Sequence, residues 1–396
     1  MPDITITELT QTYIMNTYKR FPLELSYGRG ACLYDTKGRE YLDFLGGIAV
    51  NALGYSHPVI VQAIEKLASG LIHTSNLFYT RNQALLAQWL VEHSGFDKAF
   101  FCNSGTEANE GAIKLARKWG GGRYRIITAF NSFHGRTLAA LTATGQTKYQ
   151  QGFEPLVPGF DYVPFNNLEA IEKAVTSETV AVMLEAIQAE GGVLIPDPEY
   201  LKGVESLCRR HQLLLIIDEV QTGIGRCGTL FAFQAFGVEP DIITLAKALG
   251  GGLPIGCMLA RQSVAAAFEP GHHASTFGGG ELVTGVALAV LQTLWNDGII
   301  DQAAQLGLYA LKQLQSLADR FPHVVTQVRG RGLLIGVEIN PAYNSSELGA
   351  ELLKSGLITA AAGGNVIRMA PPLIVNSNQI DRMVQIMETL FSNLGS

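Results

Sequence analysis

Short apolar runs alternate with amphipathic stretches through the middle of the chain. Lys98–Cys102, Tyr124–Thr128, Val180–Leu184, Leu213–Ile217, Ile242–Leu245 and Ile255–Ala260 have the length and composition of strands. Helical spacing of apolar residues runs over Glu107–Trp119 and Pro198–His211. Near-continuous apolar strands separated by helices predict a mainly parallel sheet covered on both faces. The ends of the chain read differently. Ala31–Asp35 and Arg39–Leu45 predict strands about a Thr36-Lys37-Gly38 turn, and Val324–Arg329 with Leu333–Ile339 predict an antiparallel pair around Gly330 and Gly332. The expected architecture is α/β. A large domain spans 61–283, and a smaller α+β domain takes its N-terminal segment from 1–60 and a linking helix and remainder from 284–396.

A chain of 396 residues, 47% of them hydrophobic, can fill two cores of this kind. Its net charge of -6 leaves no basic excess to neutralise a phosphate backbone, so no nucleic-acid partner is expected. The five cysteines are scattered and odd in number, without a C-x-x-C pair. That disfavours a disulfide framework or zinc site and fits a reducing compartment. No metal is expected from the eight histidines, and His272-His273 reads as two polar loop residues. Residues 1–21 include acidic side chains and no apolar leader core, and no stretch reaches the length of a membrane span. A cytoplasmic protein without a membrane partner is expected.

Three motifs carry candidate chemistry. Ser104, Gly105 and Thr106 lie between a predicted strand and a predicted helix, where free N–H groups and the helix dipole favour an anion. An ordinary N-cap would look the same. Asp218 ends a buried strand and is followed by Glu219, Val220 and Gln221. An ionised Asp there needs a cationic partner, such as a protonated pyridine nitrogen, unless it merely caps the next turn. Lys247 is the only charged residue between Asp241 and Arg261. An apolar setting favours the free amine that forms a Schiff base, although many such lysines simply extend to solvent.

In this order, the three motifs closely resemble those of class III aminotransferases over nearly the whole chain. The resemblance implies a fold-type-I architecture and pyridoxal 5'-phosphate as cofactor. It implies Lys247 as the Schiff-base lysine and Asp218 as partner of the ring nitrogen. Gln221 and neighbouring Glu219 would lie by the ring, with Gln221 near its hydroxyl, and Val220 and Phe133 would sandwich it. Ser104, Gly105 and Thr106 would hold the phosphate. Thr276 would reach the phosphate in a neighbouring subunit, implying a homodimer with active sites at the interface. Gly47–Pro58 and His73–Tyr79 are most similar to members acting on N-acetylornithine. Two positions depart from the family: Tyr55 stands where His is usual, and Gly280-Glu281 where Asn-Pro is usual. The second departure puts the loop beside Thr276 in question.

Arginine recognises carboxylate bidentately, so Arg136 and Arg368 suit a dicarboxylate such as 2-oxoglutarate; for either alone, ordinary ion pairing is the default. By resemblance, Arg136 would hold the distal carboxylate and Arg368 the one beside the keto group. Glu190 would cover Arg368 when an ω-amine donor binds. Ser275, Tyr18 and Asn76 would complete the pocket. The expected reaction is ping-pong transfer of the δ-amino group of N-acetylornithine to 2-oxoglutarate, a step of arginine biosynthesis. The rivals are ornithine, succinyldiaminopimelate or 4-aminobutyrate as donor, an aminomutase or racemase, and a catalytically silent protein that binds the cofactor.

Overall fold

The computed structural model describes residues 5–394; the outermost residues of both expected small-domain segments, 1–4 and 395–396, lie outside the described residues. β1 (Leu25–Arg29), β2 (Cys32–Asp35) and β3 (Glu40–Asp43) form an antiparallel meander. The Asp35 carboxylate closes the predicted turn by accepting from the N–H groups of Lys37 and Arg39, both at 2.9 Å. Gly38 supplies the left-handed backbone at φ +80°.

The central sheet contains β4 (Lys98–Cys102), β5 (Arg125–Ala129), β6 (Phe160–Val163), β7 (Thr179–Glu185), β8 (Leu214–Asp218), β9 (Ile242–Leu245) and β10 (Gly256–Ala260). Their order is β4-β10-β9-β8-β7-β5-β6, and only β10 runs against its neighbours. The continuous apolar runs follow from burial on both faces. Val182, Leu184, Leu215 and Ile217 join one core, while Ala181, Met183, Leu214 and Ile216 join another. β6 was not among the predicted strands. It is a four-residue edge strand whose Asp161 pairs with Arg125 of β5, so its pattern is too short and polar to stand out.

Beyond it, β11 (Val325–Arg331) and β12 (Leu334–Ile339) form the predicted antiparallel pair. β13 (Leu357–Ile358) joins β3 in parallel, while β14 (Ala360–Ala362) and β15 (Val366–Met369) complete the β11–β12 sheet in the order β11-β12-β15-β14. Leu42 and Phe44 share one core with Leu314, Val337, Ile367 and Met387, which ties the N-terminal meander to the C-terminal layers. The carboxyl ends of β4, β5, β7, β8 and β9 open on one edge of the central sheet, the usual place for a ligand in such a sheet.

Candidate active site

Those strand ends surround a cavity of about 480 Å³ lined by Ser104, Thr106, Phe133, Asp218, Val220 and Lys247, among others. Lys247 follows β9 and has φ +44°, a strained backbone for a side chain with a Cβ. Burial strips its ammonium of water and lowers its pKa to about 8, against the opposing pull of Glu190, Asp218 and Glu185.

Asp218 is almost wholly buried at the end of β8. Its Oδ2 accepts from Asn109 Nδ2 at 2.7 Å and faces His134 Nδ1 at 2.8 Å, and its Oδ1 accepts from the Val220 N–H at 2.9 Å. Thr244 Oγ1 donates to Asn109 Oδ1 at 2.7 Å, so β9, the helix Gly105–Trp119 and the loop after β5 all fix one carboxylate. Beside it on β7 stands Glu185, in register with Asp218. Burial, reinforced by the Asp218 charge, pushes the Glu185 carboxyl well above the usual carboxylate range.

Ser104 caps the helix Gly105–Trp119, its hydroxyl accepting from the Glu107 N–H at 3.3 Å. Among the described residues the N–H groups of Gly105 and Thr106 have no protein acceptor, which leaves two donors and a helix dipole facing the cavity. A Cβ at Gly105 would lie 2.6 Å from Val220 Cγ1, and one at Gly135 would overlap the Thr106 side chain.

Arg368 is buried and paired with Glu190. Its Nη1 also donates to Gln221 Oε1 at 3.1 Å. Burial opposes ionisation of Glu190, but Arg368, Lys247 and the hydrogen bond from Gln221 more than offset it and hold this carboxyl below its ordinary range. Arg136 is different. It borders the cavity, exposed, and forms no ion pair or side-chain hydrogen bond among the described residues.

Residues 13–391 match the family described as "Aminotransferase class-III". The chain is a class III aminotransferase. This aminotransferase is 49% identical to the acetylornithine aminotransferase of Caldanaerobacter subterraneus subsp. tengcongensis, over 96% of this chain and 98% of that one. Among solved structures it resembles the ornithine aminotransferase of Toxoplasma gondii, with TM-score 0.94 and 32% identity over 98% and 94% of the two chains. The acetylornithine aminotransferase of Elizabethkingia anophelis gives TM-score 0.87 and 34% identity over 98% of both. The class uses pyridoxal phosphate, an amino donor and a keto acid, and so does this aminotransferase. Its cavity fits the cofactor: the free N–H groups of Gly105 and Thr106 suit a phosphate, the buried Asp218 suits a pyridinium nitrogen, and desolvation lowers the pKa of the Lys247 amine.

The cavity wall includes Ser104, Gly105, Thr106, Phe133, Arg136, Asp218, Val220, Gln221 and Lys247 from the sequence reading. Gln221 links it to Glu190 and Arg368. Glu219 corrects that reading. Its carboxylate is turned away and accepts from the N–H groups of Ala232 and Phe233 at 2.7 and 2.6 Å, capping the helix Ala232–Phe236. Among the described residues, Ser275 hydrogen-bonds to that wall through Asn103, at 3.2 Å. Asn76 donates to the carbonyls of Ser275 and Gly278, and Thr276 faces a separate crevice with residues 73–76. Tyr18 is exposed in a groove beside the β2–β3 turn. Within one chain these residues do not meet the cofactor cavity.

The two departures have structural partners. Tyr55 Oη donates to the buried Asp43 at 2.6 Å, and Gly280 caps the helix Glu281–Asn296, with Glu281 accepting from the Asn82 N–H at 2.9 Å. His273 lies in a loop, where it packs on Phe100 and Phe268 and meets Lys114 Nζ at 3.0 Å. Sequence reasoning missed Asn109, His134 and Glu185. Asn109 lies in the predicted helix Glu107–Trp119, His134 between Phe133 and Arg136, and Glu185 just past a predicted strand, but only the packing of helix, loop and neighbouring strand brings them to Asp218.

Proposed function

We propose that this aminotransferase moves the δ-amino group of N2-acetyl-L-ornithine to 2-oxoglutarate, giving N-acetyl-L-glutamate 5-semialdehyde and L-glutamate, in arginine biosynthesis. The observation that carries this reading is the contrast between two arginines. Arg136 is free for the carboxylate that donor and acceptor both carry far from the reacting group. Arg368 is covered by Glu190. The donor carries no carboxylate at its reacting carbon, so the Glu190–Arg368 pair stays closed for it. The acceptor does, and its carboxylate displaces Glu190 from Arg368. The 49% identity to an acetylornithine aminotransferase supports the named donor.

Pyridoxal phosphate, when bound, supplies an electron sink for the carbanion at the substrate carbon. Ser104, Gly105 and Thr106 would hold its phosphate, Phe133 and Val220 its ring faces, Asp218 its ring nitrogen and Gln221 its hydroxyl. Lys247 would hold it covalently in the resting enzyme. Lys247 Nζ would take the proton from the donor's Cδ, and its lowered pKa gives far more free amine near neutral pH than an ordinary lysine offers. The Asp218 carboxylate, oriented by Asn109 and His134, would face the ring nitrogen.

The working unit in this reading is a cytoplasmic homodimer. No single helix among the described residues is long and apolar enough to cross a membrane. Leu71, Ile72, Leu77, Phe78, Tyr79 and Phe277 are exposed around the segments that carry Asn76 and Thr276. Such a patch suits a second copy, whose cavity Thr276 would then complete.

The test is a half-reaction. Cofactor-loaded protein is mixed with N-acetylornithine alone, the cofactor absorbance is followed, and 2-oxoglutarate is then added. The expected result is loss of the starting absorbance with semialdehyde formation, reversed by 2-oxoglutarate with glutamate release. A response to ornithine or 4-aminobutyrate but not to N-acetylornithine would overturn the donor.

A further inference from the structure

In the distal-carboxylate role proposed above, Arg136 has no polar partner for its guanidinium among the described residues, and a free arginine samples many rotamers. Something else sets its direction. Its Cζ lies 3.9 Å from the centroid of the Tyr149 ring and 5.4 Å from that of Phe133. The two rings meet edge to face, 5.8 Å apart at 84°. Tyr149 sits on the single turn Thr147–Gln150, and that turn is anchored on both sides. Gln146 Nε2 donates to the carbonyls of Asn131 and Ser132 at 3.3 and 2.9 Å, stitching the turn to the loop that bears Phe133 and Arg136. Buried Gln150 donates to the carbonyls of Thr142 and Thr144 and to Tyr162 Oη at 3.3, 2.8 and 3.0 Å. The Tyr149 hydroxyl makes no hydrogen bond among the described residues, so the ring face is what the site uses. Lys148 Nζ lies 4.8 Å from the same centroid and adds a second positive charge beside the rim.

We propose that Tyr149 is a positioning residue for substrate recognition: its anchored ring holds the Arg136 guanidinium, against Phe133, in the orientation that receives the distal carboxylate of both substrates. This rests on the reading of Arg136 as the carboxylate receptor. A ring that fixes the cation before binding removes part of the ordering that each substrate would otherwise impose.

The experiment uses cofactor-loaded protein, calorimetric titration with glutarate as a dicarboxylate probe, and steady-state kinetics with N-acetylornithine and 2-oxoglutarate. Tyr149→Leu, with Tyr149→Gln as a second ring deletion, is expected to weaken glutarate binding about 3- to 30-fold, the scale of a cation–π contact. KM for both substrates should rise by a similar factor, with kcat within about 2-fold. Tyr149→Phe should restore the affinity, and unchanged unfolding temperatures identify variants that have kept the fold. Arg136→Ala separates the two layers of the argument. If it leaves glutarate affinity unchanged, the carboxylate role of Arg136 falls and this inference with it. If it weakens glutarate while neither ring deletion does, or if ring deletion lowers kcat at constant KM, Arg136 keeps its role and the Tyr149 platform is overturned.

Discussion

At the residue scale, Lys247 combines a strained backbone with an amine held at about pKa 8 by burial. Lys247→Ala is expected to abolish turnover. The pH dependence has a definite sign. The amine captures an aldehyde only when unprotonated, so reductive trapping of pyridoxal phosphate on the apoprotein should rise with pH, level off just above 8, and fall about tenfold for each unit below it. A rate still rising toward 10, as for an ordinary lysine, would contradict the burial argument. Gly135 provides a steric counterpart, with φ +138° and Thr106 against its open side. Gly135→Ala is expected to displace Thr106 and weaken cofactor binding by about 5- to 150-fold, the equivalent of roughly 1–3 kcal/mol of overpacking, measured by titrating apoprotein with pyridoxal phosphate.

At the scale of elements, the site is an agreement between strand ends. The turn after β7 brings Glu190 to Arg368 on β15, so one ion pair spans the central sheet and the C-terminal sheet. Glu190→Ala leaves the buried Arg368 without its carboxylate and open to the α-carboxylate of a competing donor. The ratio of kcat/KM for L-glutamate to that for N-acetylornithine is expected to rise by on the order of 10-fold or more. An unchanged ratio would mean that the pair is structural and does not choose between substrates. The elements themselves were largely legible. The predicted strands Lys98–Cys102 and Ile242–Leu245 match β4 and β9, and the helix after Cys102 begins within two residues of the predicted start. The signal was strong there because burial on both faces leaves uninterrupted apolar runs. β1, β6 and the short strands after residue 356 gave no such signal, being edge strands or too brief to show a period.

At the scale of the whole molecule, exposed apolar side chains from Leu71 to Tyr79 and at Phe277 adjoin Asn76 and Thr276, which one chain leaves outside its own cavity. Sedimentation equilibrium is expected to show a dimer. Leu77→Glu combined with Tyr79→Glu should shift it toward monomer and reduce activity in parallel, with secondary structure retained. A fully active monomer would remove the need for Thr276 from a second copy. The Tyr55–Asp43 bond belongs to this scale too: Tyr55, from the loop after residue 50, holds a buried carboxylate of the N-terminal meander.

The sequence alone determined the chemistry. Lys247, Asp218 and the Ser104–Thr106 cradle are local features, each written in a few neighbouring residues between a strand and the next turn or helix. It determined the central sheet for the same reason, since hydrophobic periodicity is a local signal. Only the tertiary structure decided which residues serve Asp218. Asn109 and His134 are distant in sequence and reach it from a packed helix and a loop, while Thr244 on the neighbouring strand holds Asn109, and no local pattern encodes those meetings. Only the structure turned Glu219 away from the cavity, because adjacent residues leaving a strand point to opposite faces and Glu219 found a helix to cap. Tyr149 reaches Arg136 by the same logic: a short turn becomes a platform once Gln146 and Gln150 fasten it to the loop it faces.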